Sequence, residues 1–221
     1  MGTVTAATLI NRAGYLLEDT GNVTWTRVEL LDWLNEAQSQ VVTFVPTANV
    51  IRQNLTLAAG TLQTLPEGAI TLMDVPRNVE GPSVRLVSRE IMDAGPVDWY
   101  TYKAASVVKN YVYNNDEGGV FHVFPPNTGT GNVVIVYSKV PAVLTNEAQT
   151  ISVEDTYQAA LVNYMVFRAY SKDTDYADGS KASSYFGAFK DVLANKAPAD
   201  AEISANRALG PANPESEASL K

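Results

Sequence analysis

From Ser152 to Lys172 the chain runs Ser-Val-Glu-Asp-Thr-Tyr-Gln-Ala-Ala-Leu-Val-Asn-Tyr-Met-Val-Phe-Arg-Ala-Tyr-Ser-Lys. Ser152 with Asp155 three residues on reads as a helix start, and Glu154 and Asp155 place negative charge where the helix dipole favours it. Tyr157, Leu161 and Tyr164 line one face; Val162, Met165, Val166 and Ala169 line the other. Only Gln158, Asn163 and Arg168 interrupt this surface. A helix apolar nearly all round has to be covered on most sides, so the stretch predicts the central rod of a bundle. The other segments must supply the cover.

Thr3 to Asp19 repeats apolar residues at helical spacing (Leu9, Ile10, Ala13, Leu16, Leu17) until Gly21-Asn22 breaks it. A second helix starts at a capping box, Thr26 with Glu29, with Trp25 and Leu30 at hydrophobic-staple spacing. Its stripe of Leu30, Leu34, Ala37, Val41 and Phe44 ends at Pro46. A last helix is expected over Ala182 to Lys196, carrying Tyr185, Phe186, Phe189, Val192 and Leu193. Between these arms the period changes to two. Ile51 to Leu57, Ala69 to Val75, Ser83 to Val87, Val107 to Tyr113, Val120 to Phe124 and Gly131 to Val140 read as strands. One helical turn is expected over Ser88 to Ala94. Asn114-Asn115-Asp116-Glu117-Gly118-Gly119 reads as a polar hairpin loop, and Pro125-Pro126 as a strand end or sheet edge. In Gly131 to Val140, Val133, Ile135 and Tyr137 face one way and Val134 and Val136 the other.

The expected fold is therefore α+β. Residues 1–49 and 150–196 form a helical bundle, and 50–149 an inserted antiparallel β-sheet or small barrel. Residues 197–221 form an extended C-terminal tail, too poor in apolar residues to order itself.

Chemical sites find little support. With 0 cysteines, disulfides, thiolate metal sites and cysteine nucleophiles are excluded. His122 is the single histidine, in an alternating strand with no nucleophile motif beside it. Asp173, Asp175 and Asp178 fail as a calcium loop, because the fifth and twelfth positions fall on Ala177 and Ser184; helix-capping aspartates fit them better. No catalytic residue, metal or cofactor is expected. The net charge of -8 repels phosphate backbones, which argues against sequence-specific nucleic-acid binding but allows a surface that DNA slides past. No apolar run approaches the ~20 residues a membrane helix needs, and no secretion signal or myristoylation pattern opens the chain.

Several segments in order resemble the head-to-tail adaptor (connector, or tail tubular) proteins of short-tailed bacteriophages. They are Leu9-Ile10-Asn11-Arg12-Ala13, Trp25-Thr26 leading into Glu29 to Gln38, Phe121-His122-Val123-Phe124-Pro125-Pro126, Gly131-Asn132-Val133 through Tyr137 to Pro141, and Tyr157 to Leu161 through Arg168 to Asp173. The resemblance covers roughly residues 1–196. It implies a non-enzymatic virion protein, assembled as a dodecameric ring between the portal and the tail nozzle, with DNA passing through the bore. On that reading the tail reaches the portal, and Ile203, Arg207 and Leu209, its few side chains able to fill a pocket or pair an acid, anchor it. Asn114, Asn115, Asp116 and Glu117 then face the next tail component. Two alternatives stay open: a tail or baseplate adaptor that touches no portal, and a monomeric β module binding a ligand in an aromatic groove at Trp99, Tyr100 and Tyr102.

Overall fold

The computed structural model describes residues 2–95 and 98–203. At its centre Gln158–Ser171 forms a helix that the chain's own helices cover from several sides. Numbered in chain order it is α4, after α1 (Ala6–Leu16), α2 (Arg27–Phe44) and the single turn α3 (Arg89–Asp93). The last helix, α5, spans Gly179–Ile203. Ala160, Leu161, Val162, Tyr164, Met165, Val166 and Ala169 of α4 are all buried, on more than one face, and α1, α2 and α5 each pack against it. The expected central rod is what forms.

Its start differs. Ser152 caps nothing on α4; its hydroxyl accepts the Ala142 N–H at 3.1 Å. Residues 151–154 stay outside the helix, because Ile151 N–H donates to the Val4 carbonyl, Ser152 N–H to the Gln38 side chain and Glu154 N–H to the Ala48 carbonyl. The chain enters α4 only through a 3-10 turn over Asp155–Tyr157. Asp155 instead ties down the segment before α1, accepting from the Thr3 N–H at 2.8 Å and its hydroxyl at 2.6 Å.

The capping box forms as the sequence predicts. Glu29 N–H donates to the Thr26 hydroxyl, Thr26 N–H donates back to the Glu29 carboxylate, and Trp25 and Leu30 are both buried. The α2 stripe enters the core as far as Val41, but Phe44 stays 54% exposed and meets the edge of the Phe189 ring. Asp178 caps α5, accepting from the Ser180 and Lys181 N–H groups at 3.0 Å each. That helix continues to Ile203 instead of ending at Lys196.

The middle of the chain folds into two sheets. The first has the order β1 (Val50–Thr56), β7 (Asn132–Lys139), β3 (Ala69–Asn78), all antiparallel. The second has the order β2 (Ala59–Thr64), β6 (Val120–Thr128), β5 (Asn110–Val112), β4 (Arg85–Leu86), its last pair parallel. Phe121 and Val123 of β6 share one core with Val133, Ile135 and Tyr137 of β7, the face that alternation assigned to them.

Three strand expectations need correction. The segment 59–64 was not expected to pair at all. It has few β-branched residues, and its ladder is broken by a bulge after Gly60, whose φ of 100° suits glycine. The stretches 83–87 and 107–113 shrink to the short strands β4 and β5. Pro125 and Pro126 do not end β6. They fall where the β2 register jumps from Leu62↔His122 to Gly60↔Asn127, and β5 has already ended at Asn110↔Phe124. Neither neighbour requires an N–H there.

Side chains stitch the helical and sheet parts together. Ser138 Oγ donates to the Pro46 carbonyl at 2.6 Å, and Asn49 Nδ2 to the Lys139 carbonyl at 2.8 Å. Asn35 clamps Leu144 from both sides, donating to its carbonyl and accepting its N–H, and Leu144 is buried in the helical core.

Charge pairing at the helix surface makes stability depend on pH. The Lys172 ammonium holds Glu29 below its ordinary 4.5, and the Arg27 guanidinium does the same for Glu147. Burial works against ionisation of Asp19, yet the N–H groups of Trp25, Val23 and Thr24 outweigh it and keep its pKa below 3.8. Thr3 lowers Asp155 likewise. Carboxylates depressed in the folded state contribute stability above their unfolded pKa and lose it as pH falls through the folded value. The urea midpoint should therefore be flat from about pH 7 to about pH 5 and fall steadily below that. A midpoint that holds or rises on acidification to pH 3 would contradict these pairings.

Candidate assembly surfaces

At the sheet end, the β5–β6 hairpin carries a 3-10 turn over Asn115–Glu117, with the Asn114 side chain accepting the Asp116 N–H at 3.2 Å. All four residues from Asn114 to Glu117 are exposed, but they are not equally free. Asn115 Oδ1 accepts from the Thr71 hydroxyl at 2.9 Å and the Tyr113 hydroxyl at 3.1 Å. Glu117 turns back to Arg89 at 3.3 Å and to His122 Nε2 at 3.6 Å. The loop is thus braced against β3, α3 and β6, and it presents Asp116 at its tip.

The outer face of the second sheet is aromatic. The Trp99 and Tyr100 rings stand nearly perpendicular to His122, at 5.7 and 5.9 Å between centroids, and Tyr102 lies over Phe124 at 5.2 Å. Trp99 is buried, its indole donating to Asp93 at 2.8 Å, so the segment covers the sheet and leaves no open aromatic groove at Trp99. Tyr100 and Tyr102 remain exposed, as does Leu62, the β2 partner of His122. His122 Nδ1 is buried without a hydrogen-bond partner among the described residues, and Nε2 faces the Glu117 carboxylate at 3.6 Å.

At the helical end, Tyr15 and Leu16 close α1, Val23 sits in the α1–α2 loop and Val28 opens α2, all exposed. Val23 is 86% and Val28 70% exposed although both flank the buried Trp25. Large exposed apolar patches mark contact surfaces, and these four residues fall within one short stretch of chain, 15–28. Of the anticipated tail anchors, Ile203 is the last residue of α5 and its side chain lies outside the described residues, as do Arg207 and Leu209 entirely. Sequence reading missed Val23 and Val28 as surface residues; the signal available was an apolar residue between Asn22 and Thr24, inside a polar turn.

Among the described residues, no group of His, Cys, Asp and Glu gathers to hold a metal, and no helix is long and apolar enough to cross a membrane. A family model described as SU10 adaptor protein matches residues 4–214, and the chain belongs to that family. It is a phage adaptor, a structural component of the virion. No curated protein matches the chain.

Proposed function

We propose that this adaptor assembles with copies of itself into a ring, dodecameric as the resemblance implies, between the portal and the tail nozzle of a short-tailed phage. The observation that carries the reading is the exposed apolar group at the α1–α2 end, which one chain leaves uncovered. Residues 1–49 and 150–196 serve as the portal-side bundle, and 50–149 as the tail-side module. Ile203, Arg207 and Leu209 anchor the C-terminal segment on the portal, and the net charge of -8 lets DNA pass without sticking. Imaging of particles carrying a labelled copy tests the placement: density at the head–tail junction is expected, and density confined to the tail tip or baseplate favours the other adaptor reading.

The braced hairpin gives a narrower expectation. If Asn114 to Glu117 meet the nozzle, exchanging them for a tight Asn-Gly turn should lower infectious yield by at least about tenfold, the cost of one lost contact of ~1.4 kcal/mol. Wild-type yield from the exchanged protein would return the loop to the role of a solvated tip.

A further inference from the structure

The α1–α2 loop, the C-terminal end of α4 and the α4–α5 loop enclose a cleft of about 460 Å³. Its floor is aromatic. The Trp25 ring meets Tyr170 edge-on at 6.1 Å and Tyr176 at 5.8 Å between centroids. Its walls carry the carboxylates of Glu18, Asp19, Asp175 and Asp178 against the single ammonium of Lys181.

These groups are unequally occupied. Asp19 accepts the N–H groups of Val23, Thr24 and Trp25, and Asp178 caps α5. Glu18 and Asp175 are exposed and make no side-chain hydrogen bond or ion pair among the described residues. The Trp25 indole is the second anomaly: the residue is 4% exposed, and its Nε1–H is buried with no acceptor. A donor left in that state costs free energy that a ligand's acceptor recovers. One cation already rests on the aromatic floor, as Lys181 Nζ lies 4.9 Å from the Tyr170 centroid.

We propose that this cleft is a docking site for an arginine-bearing segment of a partner polypeptide. The guanidinium stacks on the face of Tyr176, itself 60% exposed, and pairs with Glu18 and Asp175, while a carbonyl of the same segment accepts the Trp25 indole N–H. Three features select arginine. Its planar charge stacks on aromatic rings and pairs with carboxylates in a fork, which an ammonium cannot do. Four carboxylates against one ammonium leave a local negative excess that attracts a cationic partner. The free donor calls for a backbone carbonyl, which a metal ion or a lone amine lacks. The site adjoins the apolar residues of the α1–α2 end that the ring reading uses, but its binding test is made on the free chain: a copy that never formed a ring would still present it.

The test uses the full chain with 15N-labelled tryptophan, whose 3 indole signals are assigned with a Trp25→Phe variant. Titration with acetyl-Gly-Arg-Gly-amide should shift the Trp25 indole saturably, with a Kd of order 1 mM, the range of a single side-chain contact. Glu18→Gln with Asp175→Asn should weaken binding at least about tenfold. Lys181→Met should strengthen it severalfold, since it frees the Tyr170 face. These side chains are exposed or at the rim, and the two variants change affinity in opposite directions. The proposal is overturned by an unshifted Trp25 signal, by an equal shift with the citrulline peptide, or by magnesium chloride reproducing the shift.

Discussion

Leu161→Ala should destabilise the protein by about 2–5 kcal/mol, the range for emptying a fully buried leucine site. Leu161 is wholly buried on α4, the helix against which α1, α2 and α5 all pack. A cavity there loosens the one element the other helices share, and neighbours fixed by one another cannot collapse into it. Leu161→Met keeps the volume and should cost less than about 1.5 kcal/mol. Phe44→Ala, at a ring left 54% exposed, should cost clearly less than the leucine change. Urea unfolding followed by far-UV circular dichroism measures all three. A Leu161→Ala loss below about 1 kcal/mol would mean that α4 is not the rod on which the bundle depends.

The second large effect concerns binding. Removing residues 204–221 should leave the urea midpoint unchanged, because the described core residues of both clusters all precede Ile203. The same truncation should weaken capture of the portal at least about a hundredfold, since hot-spot side chains contribute ~2 kcal/mol or more each and Arg207 and Leu209 go together. Cutting after Ile203 matters: α5 continues to that residue, and a cut at 197 would shorten the helix as well as remove the anchors. Pull-down with purified portal distinguishes the outcomes, and undiminished capture would remove the tail from the interface.

Helices were easier to read in this chain than strands, for physical reasons. The Thr26–Glu29 capping box and the Trp25–Leu30 staple are local, so their geometry follows from residues within one turn of each other. The apolar surface of α4 likewise declares its own burial. Ser152 misled because its N–H donates to Gln38, and the neighbouring Ile151 and Glu154 N–H groups donate to Val4 and Ala48, residues over a hundred positions away that no local pattern reveals. The segment 59–64 stayed hidden because a bulge at Gly60 interrupts the period-two signal. Pro125 and Pro126 sit in a strand only because two neighbouring ladders stop at that level, a fact of sheet order. The cleft was the hardest to read: Glu18, Trp25, Tyr170 and Asp175 meet in it through the α1–α2 and α4–α5 loops, and nothing in their spacing predicts it.

Size measurement of the purified chain with and without its portal tests the assembly reading most directly. Native mass spectrometry or sedimentation should show one defined complex larger than the portal alone, carrying a fixed whole number of adaptor copies that match the portal's symmetry. Separate portal and adaptor species at every mixing ratio, with the adaptor a lone chain throughout, would contradict it.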